Sequence, residues 1–315
     1  MSSTKTVGWF GLGSMGIGMA FNVQKHLQYQ RLPPLHYSNR TLSRGEPLQA
    51  AGAIQEGTFE DVLRVADIVF TMISDDAVLN DLLEKALASG LLLQGKIWID
   101  TSTVHPDTTA LCSARLSEVG AAFIASPVFG ASPVAAEGKL IFAMAGPQEA
   151  VDTVRPLIDG VMAKSILYLG EDVRKGSLLK ITGNIFVIGF QELIAEVLVF
   201  AEKTGSGVKQ LEEFIGNMFG PVLESYSRRM TSGSYAPPLD TRPGFAVALA
   251  SKDARHAVNV AKAHQTALPT IELALARMTA AREYAGESLD SSSLYGTTRL
   301  EAGLPFWSEN SRQGN

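Results

Sequence analysis

Val7-Gly8-Trp9-Phe10-Gly11-Leu12-Gly13-Ser14-Met15-Gly16 is the stretch that decides the fold of this chain. Residues 7–10 have the apolar run of a buried strand, and they lead directly into three glycines spaced Gly-x-Gly-x-x-Gly. A helical pattern begins on the last glycine and continues to about Tyr29. Each glycine has a separate reason to be there. The first permits a tight turn, the second lets the backbone approach a pyrophosphate, and the third lets the helix pack close to the strand. The helix start then offers unpaired N–H groups and the positive end of its dipole to the phosphates. The expected ligand is a dinucleotide, held by Gly11, Leu12, Gly13, Ser14, Met15 and Gly16.

Outward from this motif, short apolar runs at 35–38, 68–73, 97–100, 122–125 and 140–145 alternate with helical patterns such as 77–89 and 108–119. That alternation predicts a parallel sheet covered on both faces. After about Leu169 strand-like runs largely cease. A long helix is expected over 174–203, with further helices over 208–230, 243–264 and 268–285. The breaks between them carry Gly205, Gly207, Pro237-Pro238 and Pro269. The reading is an α/β Rossmann N-terminal domain over 1–169 and an all-α C-terminal domain over 170–315, joined by a long interdomain helix. The polar tail beyond about Leu304 is expected to be loose.

Composition narrows the classes. The chain has 315 residues, enough for two domains, with 46% hydrophobic and 19% charged residues and no disorder signature. A net charge of −5 gives no reason to expect a nucleic-acid partner. Cys112 is the single cysteine, expected as a small buried hydrophobe in a reducing compartment. The polar start over 1–6 has no secretory pattern, and the uncharged apolar run at 181–191 is too short to span a bilayer. The cytoplasm is therefore the expected location, with no membrane partner. The histidines lack ligand-like spacing, so no metal is expected, and His256 reads as a packed helix residue.

Three further segments carry chemistry. At the end of the second strand, Tyr37-Ser38-Asn39-Arg40-Thr41 contains no carboxylate to grip the ribose 2′-hydroxyl of NAD. Arg40 is suited to a 2′-phosphate, with Asn39 and Thr41 as hydrogen-bond donors. NADP(H) is the preferred cofactor, with NAD(H) the alternative if Arg40 is a solvated loop residue. In Gly176-Ser177-Leu178-Leu179-Lys180-Ile181-Thr182-Gly183-Asn184, Lys180 is the only charge between Lys175 and Glu192. Apolar neighbours cover nearly every helix face, which predicts a buried helix. Burial would bring a lysine nearer to releasing its proton, and Asn184 lies one turn away on the same side. A lysine snorkelling from a helix end is the other reading. Finally, Ser126-Pro127-Val128-Phe129-Gly130-Ala131 opens a Gly/Pro/Ser-rich loop after a strand, able to present backbone N–H groups or to serve as an ordinary connection.

Taken in this order, these segments resemble the β-hydroxyacid dehydrogenase family, which includes 3-hydroxyisobutyrate dehydrogenase, tartronate semialdehyde reductase and the glyoxylate/succinic semialdehyde reductases. The likeness covers nearly the whole chain. It implies that Lys180 and Asn184 are catalytic, and that Phe129, Gly130, Ala131 and Ser102 lie at the substrate. Met72, Ile73 and Ser74 would sit beside the adenosine half of the cofactor, Thr103 beside the nicotinamide, and Lys252 near the cofactor within a Lys252-Asp253 pair. It also implies a small-molecule carbonyl or hydroxy substrate and a homodimer or homotetramer. The implied function is an NADP(H)-dependent oxidoreductase interconverting a hydroxy acid or alcohol and its aldehyde or ketone. The alternatives are an imine reductase, in which that lysine is usually replaced, and a non-catalytic NADP-binding protein. One position departs from the pattern. Phe129 and Ala131 stand where the family has a serine and a glycine, and the serine hydroxyl helps to hold a substrate carboxylate. A phenyl ring offers apolar area instead, worth about 1.5–3 kcal/mol if buried. The substrate expected is bulkier or less acidic than a three- or four-carbon acid.

Overall fold

The computed structural model describes residues 5–314. They form two compact units, one ending at Lys180 and the other beginning at Ile181. In the first, β1 (Val7–Phe10) is followed by α1 (Gly16–Tyr29), β2 (His36–Ser38), α2 (Glu46–Ala50), β3 (Ile54–Gln55), α3 (Phe59–Val65), β4 (Ile68–Thr71), α4 (Asp76–Ala88), β5 (Ile97–Asp100), α5 (Pro106–Glu118) and β6 (Ala122–Ala125). These strands form one parallel sheet in the order β3-β2-β1-β4-β5-β6. The order reverses at β1, so a crevice opens beyond the carboxyl ends of β1 and β4. Buried Trp9 and Phe70 stack across those two strands with ring centroids 5.4 Å apart.

The strand expected at 140–145 forms, but in a different sheet. β7 (Val128–Phe129), α6 (Ser132–Ala136), β8 (Leu140–Met144), α7 (Gln148–Val154) and β9 (Ala163–Tyr168) build a second sheet in the order β7-β8-β9, with β7 antiparallel and β9 parallel to β8. The physical reason is length: the connection from β7 to β8 is too short for a parallel crossover of a dozen or more residues. Ala125 and Ala145 exchange backbone hydrogen bonds of 3.0 and 2.8 Å, which join the ends of β6 and β8.

α8 (Arg174–Thr204) begins in the first unit and continues into the second. It is followed by α9 (Val208–Phe219), α10 (Pro221–Thr231), α11 (Val247–Ala263), α12 (Pro269–Ala285) and α13 (Leu294–Glu301). The single helix expected over 208–230 is two, because Gly220 adopts φ +84° and Pro221 restarts the helix. The tail beyond Leu304 is not loose. Phe306 is buried, and the Tyr235 hydroxyl donates to the Phe306 carbonyl while accepting from the Ser308 amide, both at 2.7 Å. Buried aromatic area and a satisfied hydroxyl hold a segment whose composition alone looks like a frayed end.

α8 is not buried all round, although apolar residues on nearly every face predict burial. Asn184, Ile188, Gln191, Glu192, Ala195 and Leu198 are buried, but Phe186, Leu193 and Phe200 are 62%, 54% and 67% exposed. The helix as a whole is long and apolar enough to cross a membrane by length and composition, although its uncharged run is short. Its buried side nevertheless carries polar and charged groups. Arg277 of α12 binds Glu192 and also meets Glu196 at 3.0 Å and Glu301 at 2.7 Å. Three carboxylates share one guanidinium. Burial opposes the charge of Arg277, but its carboxylate partners outweigh that and hold it above its ordinary range. Glu192, the most buried of the three, carries the penalty: burial pushes its carboxyl up from 4.5 to about 7, against the pull of Arg277. The folded state therefore holds this proton more tightly than the unfolded chain. Stability is lost as pH rises from 4.5 to about 7, and the full loss applies above that. Calorimetric unfolding at pH 5 and pH 8 should show the wild type losing a few degrees more than Glu192→Gln over this interval. Equal losses would contradict the assignment.

Candidate active site

The glycine motif is built as its spacing demands. Gly11 sits at φ +100°, and a Cβ there would stand 2.2 Å from the Met72 carbonyl oxygen. A Cβ on Gly16 would stand 2.1 Å from the Gly11 carbonyl oxygen. At Gly13 it would meet no atom within 4 Å among the described residues. Two glycines are thus required by the fold, and the third leaves an open backbone surface beside the start of α1. That helix has no side-chain cap; the Ile17 amide donates to the Gly13 carbonyl at 3.2 Å, and the helix start directs the positive end of its dipole at this opening. Asn39 fixes the loop from the β2 side. Its Oδ1 accepts from the Leu12 amide at 2.8 Å and its Nδ2 donates to the Thr41 carbonyl at 2.7 Å. Arg40 is exposed, and the 38–41 segment brings no carboxylate to this rim. An open backbone, an uncapped helix end and a cationic rim fit a dinucleotide.

The neighbouring strand ends are tied by a network that sequence reasoning did not single out. Buried Asp100 closes β5. Its Oδ1 accepts from the Thr71 and Ser102 hydroxyls, each at 2.7 Å. Thr71 in turn accepts from the Trp98 indole at 2.9 Å, and Ser102 accepts from the Ile73 amide at 2.8 Å. The signal was available: an aspartate ends the apolar run Ile97-Trp98-Ile99-Asp100, and a buried carboxylate needs donors. The network places Met72, Ile73 and Ser74 on one loop and Thr103 on the next, both at the carboxyl end of the sheet. Ser102, expected at the substrate, is buried; its hydroxyl donates a hydrogen bond to Asp100 and accepts one from the Ile73 amide, which ties the two loops together.

The 126–140 loop lies along α1. Asn22 donates to the Ala135 carbonyl at 2.8 Å, and a Cβ on Gly18 would stand 3.0 Å from the Ala136 nitrogen. This packs α6, which follows Phe129, Gly130 and Ala131 in the chain, along the helix that the glycine motif opens. Lys180 reaches the same loop: its Nζ lies 4.6 Å from the centroid of the Phe129 ring. Gly176, one turn before Lys180, makes this approach feasible. A Cβ there would stand 2.9 Å from the Ala125 carbonyl oxygen and 3.2 Å from that of Ala143, so only glycine lets α8 settle on β6 and β8. In the second unit, buried Asn184 donates through Nδ2 to Asp253 Oδ2 at 2.6 Å, and Lys252 pairs with Asp253 Oδ1 at 3.1 Å. Asp253 thereby sets the direction of the Asn184 amide, a role the Lys-Asp dipeptide alone did not reveal.

Other candidates carry less. Among the described residues no group of three or more His, Cys, Asp or Glu side chains could hold a metal. Burial, with Asp100 and Asp76 adding to it, pushes the Cys112 thiol up to about 12, so it packs as a hydrophobe. A cavity of about 520 Å³ in the second unit is lined by none of the candidate site residues. Two of its arginines, Arg228 and Arg229, are paired with Glu224 and Asp290.

Comparison with known proteins gives the same picture. Residues 6–170 match the profile described as the NAD-binding domain of 6-phosphogluconate dehydrogenase. Residues 175–298 match the one described as NAD-binding of NADP-dependent 3-hydroxyisobutyrate dehydrogenase. An oxidoreductase of Bacillus subtilis, YfjR, is 33% identical over 84% of this chain and 89% of its own. The NADH-dependent oxidoreductase ucdB of Aspergillus ustus is 29% identical over 93% and 98%. The crystal structure of 3-hydroxyisobutyrate dehydrogenase from Salmonella typhimurium shares the fold, with a TM-score of 0.81 at 21% identity over 92% of this chain and 99% of that one. The glycines separate fold from binding. Gly11→Ala should cost about 1–3 kcal/mol of stability through backbone strain. Gly13→Ala should stay within about 0.5 kcal/mol of wild type yet weaken dinucleotide binding roughly tenfold, read by thermal unfolding and fluorescence titration. Normal binding by Gly13→Ala would remove the motif from the cofactor site.

Proposed function

This chain belongs to the β-hydroxyacid dehydrogenase family of nicotinamide-dependent oxidoreductases acting on CH–OH groups, and we propose that within it the protein is an NADP(H)-dependent reductase of aldehydes or ketones, with Lys180 as its general acid and base. The observation that carries this reading is the position of Lys180, on the turn of α8 that Gly176 seats against β6 and β8, above the loop of Phe129. The nicotinamide, when bound, supplies and accepts the hydride. The Lys180 ammonium donates the proton to the carbonyl oxygen in reduction, and the neutral amine takes it back in oxidation. Asn184, its amide fixed by Asp253, orients the substrate oxygen or the lysine one turn away. Backbone groups at Gly130 and Ala131 hold the polar end of the substrate, with Ser102 keeping the loops in place. Thr103 serves the nicotinamide side, Met72, Ile73 and Ser74 the adenosine side, and Lys252 lies near the cofactor. Arg40, with Asn39 and Thr41, favours the 2′-phosphate of NADP(H) over NAD(H). Residues 1–169 act as the cofactor domain and residues 170–315 as the helical domain, in the cytoplasm.

Because Phe129 replaces a hydroxyl donor with a ring, the substrates that fit are carbonyl compounds with an apolar flank rather than small carboxylated aldehydes. The test is nicotinamide oxidation by the wild type and Lys180→Ala, with semialdehydes, glyoxylate, bulkier aldehydes and ketones, and cyclic imines, using NADPH and NADH in parallel. We expect carbonyl turnover with NADPH that falls about 10²–10⁴-fold in Lys180→Ala while cofactor binding is kept. Turnover confined to imines, or none despite bound NADPH, would overturn the reading.

The same reading includes a second copy of the chain against α8. Phe186, Phe190, Leu193, Val197 and Phe200 repeat at intervals of four and three residues, the spacing of a helix–helix seam. Asn184, Gln191 and Glu192 occupy other sides of the helix, which favours a protein partner over lipid. Light scattering should give a dimer or tetramer for the wild type and a smaller species for the double change Phe186→Asp and Phe200→Asp. A wild-type monomer at working concentration would refute the interface.

A further inference from the structure

Phe129 ends β7, where it pairs in register with Ile141 of β8. The next residue, Gly130, turns at φ +135°, where a Cβ would stand 2.6 Å from Leu140. The strand pairing and the turn fix the backbone that carries the ring. Lys180 is fixed from the other side, because the first turn of α8 rests on the Ala125 and Ala143 carbonyls through Gly176. Between two anchored backbones, the ammonium stands over the ring, 4.6 Å from its centroid. The face of a phenyl ring carries the negative part of its quadrupole, so it stabilises a cation and does nothing comparable for a neutral amine. The attraction is larger where water is partly excluded, and both side chains are half-buried.

We propose that Phe129 is a positioning residue for Lys180: its ring holds the ammonium in place and keeps it protonated to higher pH than an aliphatic residue would, setting the enzyme for reduction. The proposal rests on Lys180 being the proton donor. It gives the departure at position 129 a purpose, since the residue that replaces a hydroxyl donor for the substrate acts on the acid instead. Charged groups of the first unit near the start of α8 and the end of β5 include Asp107 of α5, which faces Arg174, and Asp100, held by Thr71 and Ser102. On α8 itself they include Arg174 and Lys175. Substitution of Phe129 leaves all of them in place, so a difference between variants at this position reports the ring.

Two readouts on wild type, Phe129→Tyr, Phe129→Leu and Phe129→Met test it. The first is competitive labelling of Lys180 by acetic anhydride across pH in the free protein, quantified by peptide mass spectrometry. The second is the basic limb of kcat/KM for carbonyl reduction. Both midpoints should fall by about half to one pH unit in the Leu and Met variants and stay near wild type in Phe129→Tyr. Unchanged midpoints in the Leu and Met variants, or an equal fall in Phe129→Tyr, would overturn the proposal. If the labelling midpoint falls as expected while Lys180→Ala keeps full activity, the ring holds the ammonium but the general-acid reading has failed. If Lys180→Ala loses activity and the labelling midpoint does not move, the general acid stands and the role of Phe129 does not.

Discussion

A methyl group at Gly176 would press against two backbone carbonyl oxygens, and the position of Lys180 depends on its absence. The contact is steric and cannot be softened, since neither carbonyl belongs to a flexible side chain. It sets the height of α8 over β6 and β8, and one helical turn later Lys180 emerges beside β7 at a fixed distance from Phe129. Gly11 and Gly16 impose the same kind of constraint at the centre of the sheet, against Met72 and against each other. The candidate groups are thus positioned by backbone approach at glycine, with side chains added to that frame.

Around that frame, carboxylates act as organisers. Asp100 collects hydroxyls from the ends of β4 and β5, Asp253 sets Asn184, and the Glu192 cluster locks α8 to α12 through Arg277. Each is buried, and each is matched by donors or a cation, as burial of charge requires. None of the three needs to touch a substrate to matter. They determine which way a hydroxyl, an amide or a helix faces.

Much of this was legible in the sequence. Val7 to Gly16 identified the dinucleotide fold because a strand, three spaced glycines and a helix leave few alternatives, and the absence of a carboxylate at Ser38–Thr41 could be read directly. The second sheet was not legible. β7 has two residues and β9 mixes buried and exposed positions, so neither gives a period that separates it from loop, and pairing direction follows from connection length. The split between α9 and α10 was available in Gly220-Pro221 but was masked by continuous helical patterning on both sides. The packed tail was missed because Phe306 is anchored by Tyr235, a residue far away in sequence. The apolar pattern of α8 was read as burial, yet periodicity cannot tell a side covered by the same chain from one left uncovered. At the candidate site, Lys180 stands out in the sequence as a lone charge in an apolar helix with Asn184 one turn away, while the partners of Asp100 and Asp253 become visible only in the fold.

The most direct test of the account is chemical rescue of Lys180→Ala. Small primary alkylammonium ions added to the variant should restore carbonyl reduction in proportion to their concentration. The rescued rate should follow the acidity of the amine and leave cofactor affinity unchanged, because the added ion replaces only the missing proton donor. Absence of rescue by any amine that fits, in a variant that folds and binds NADPH normally, would contradict Lys180 as the general acid.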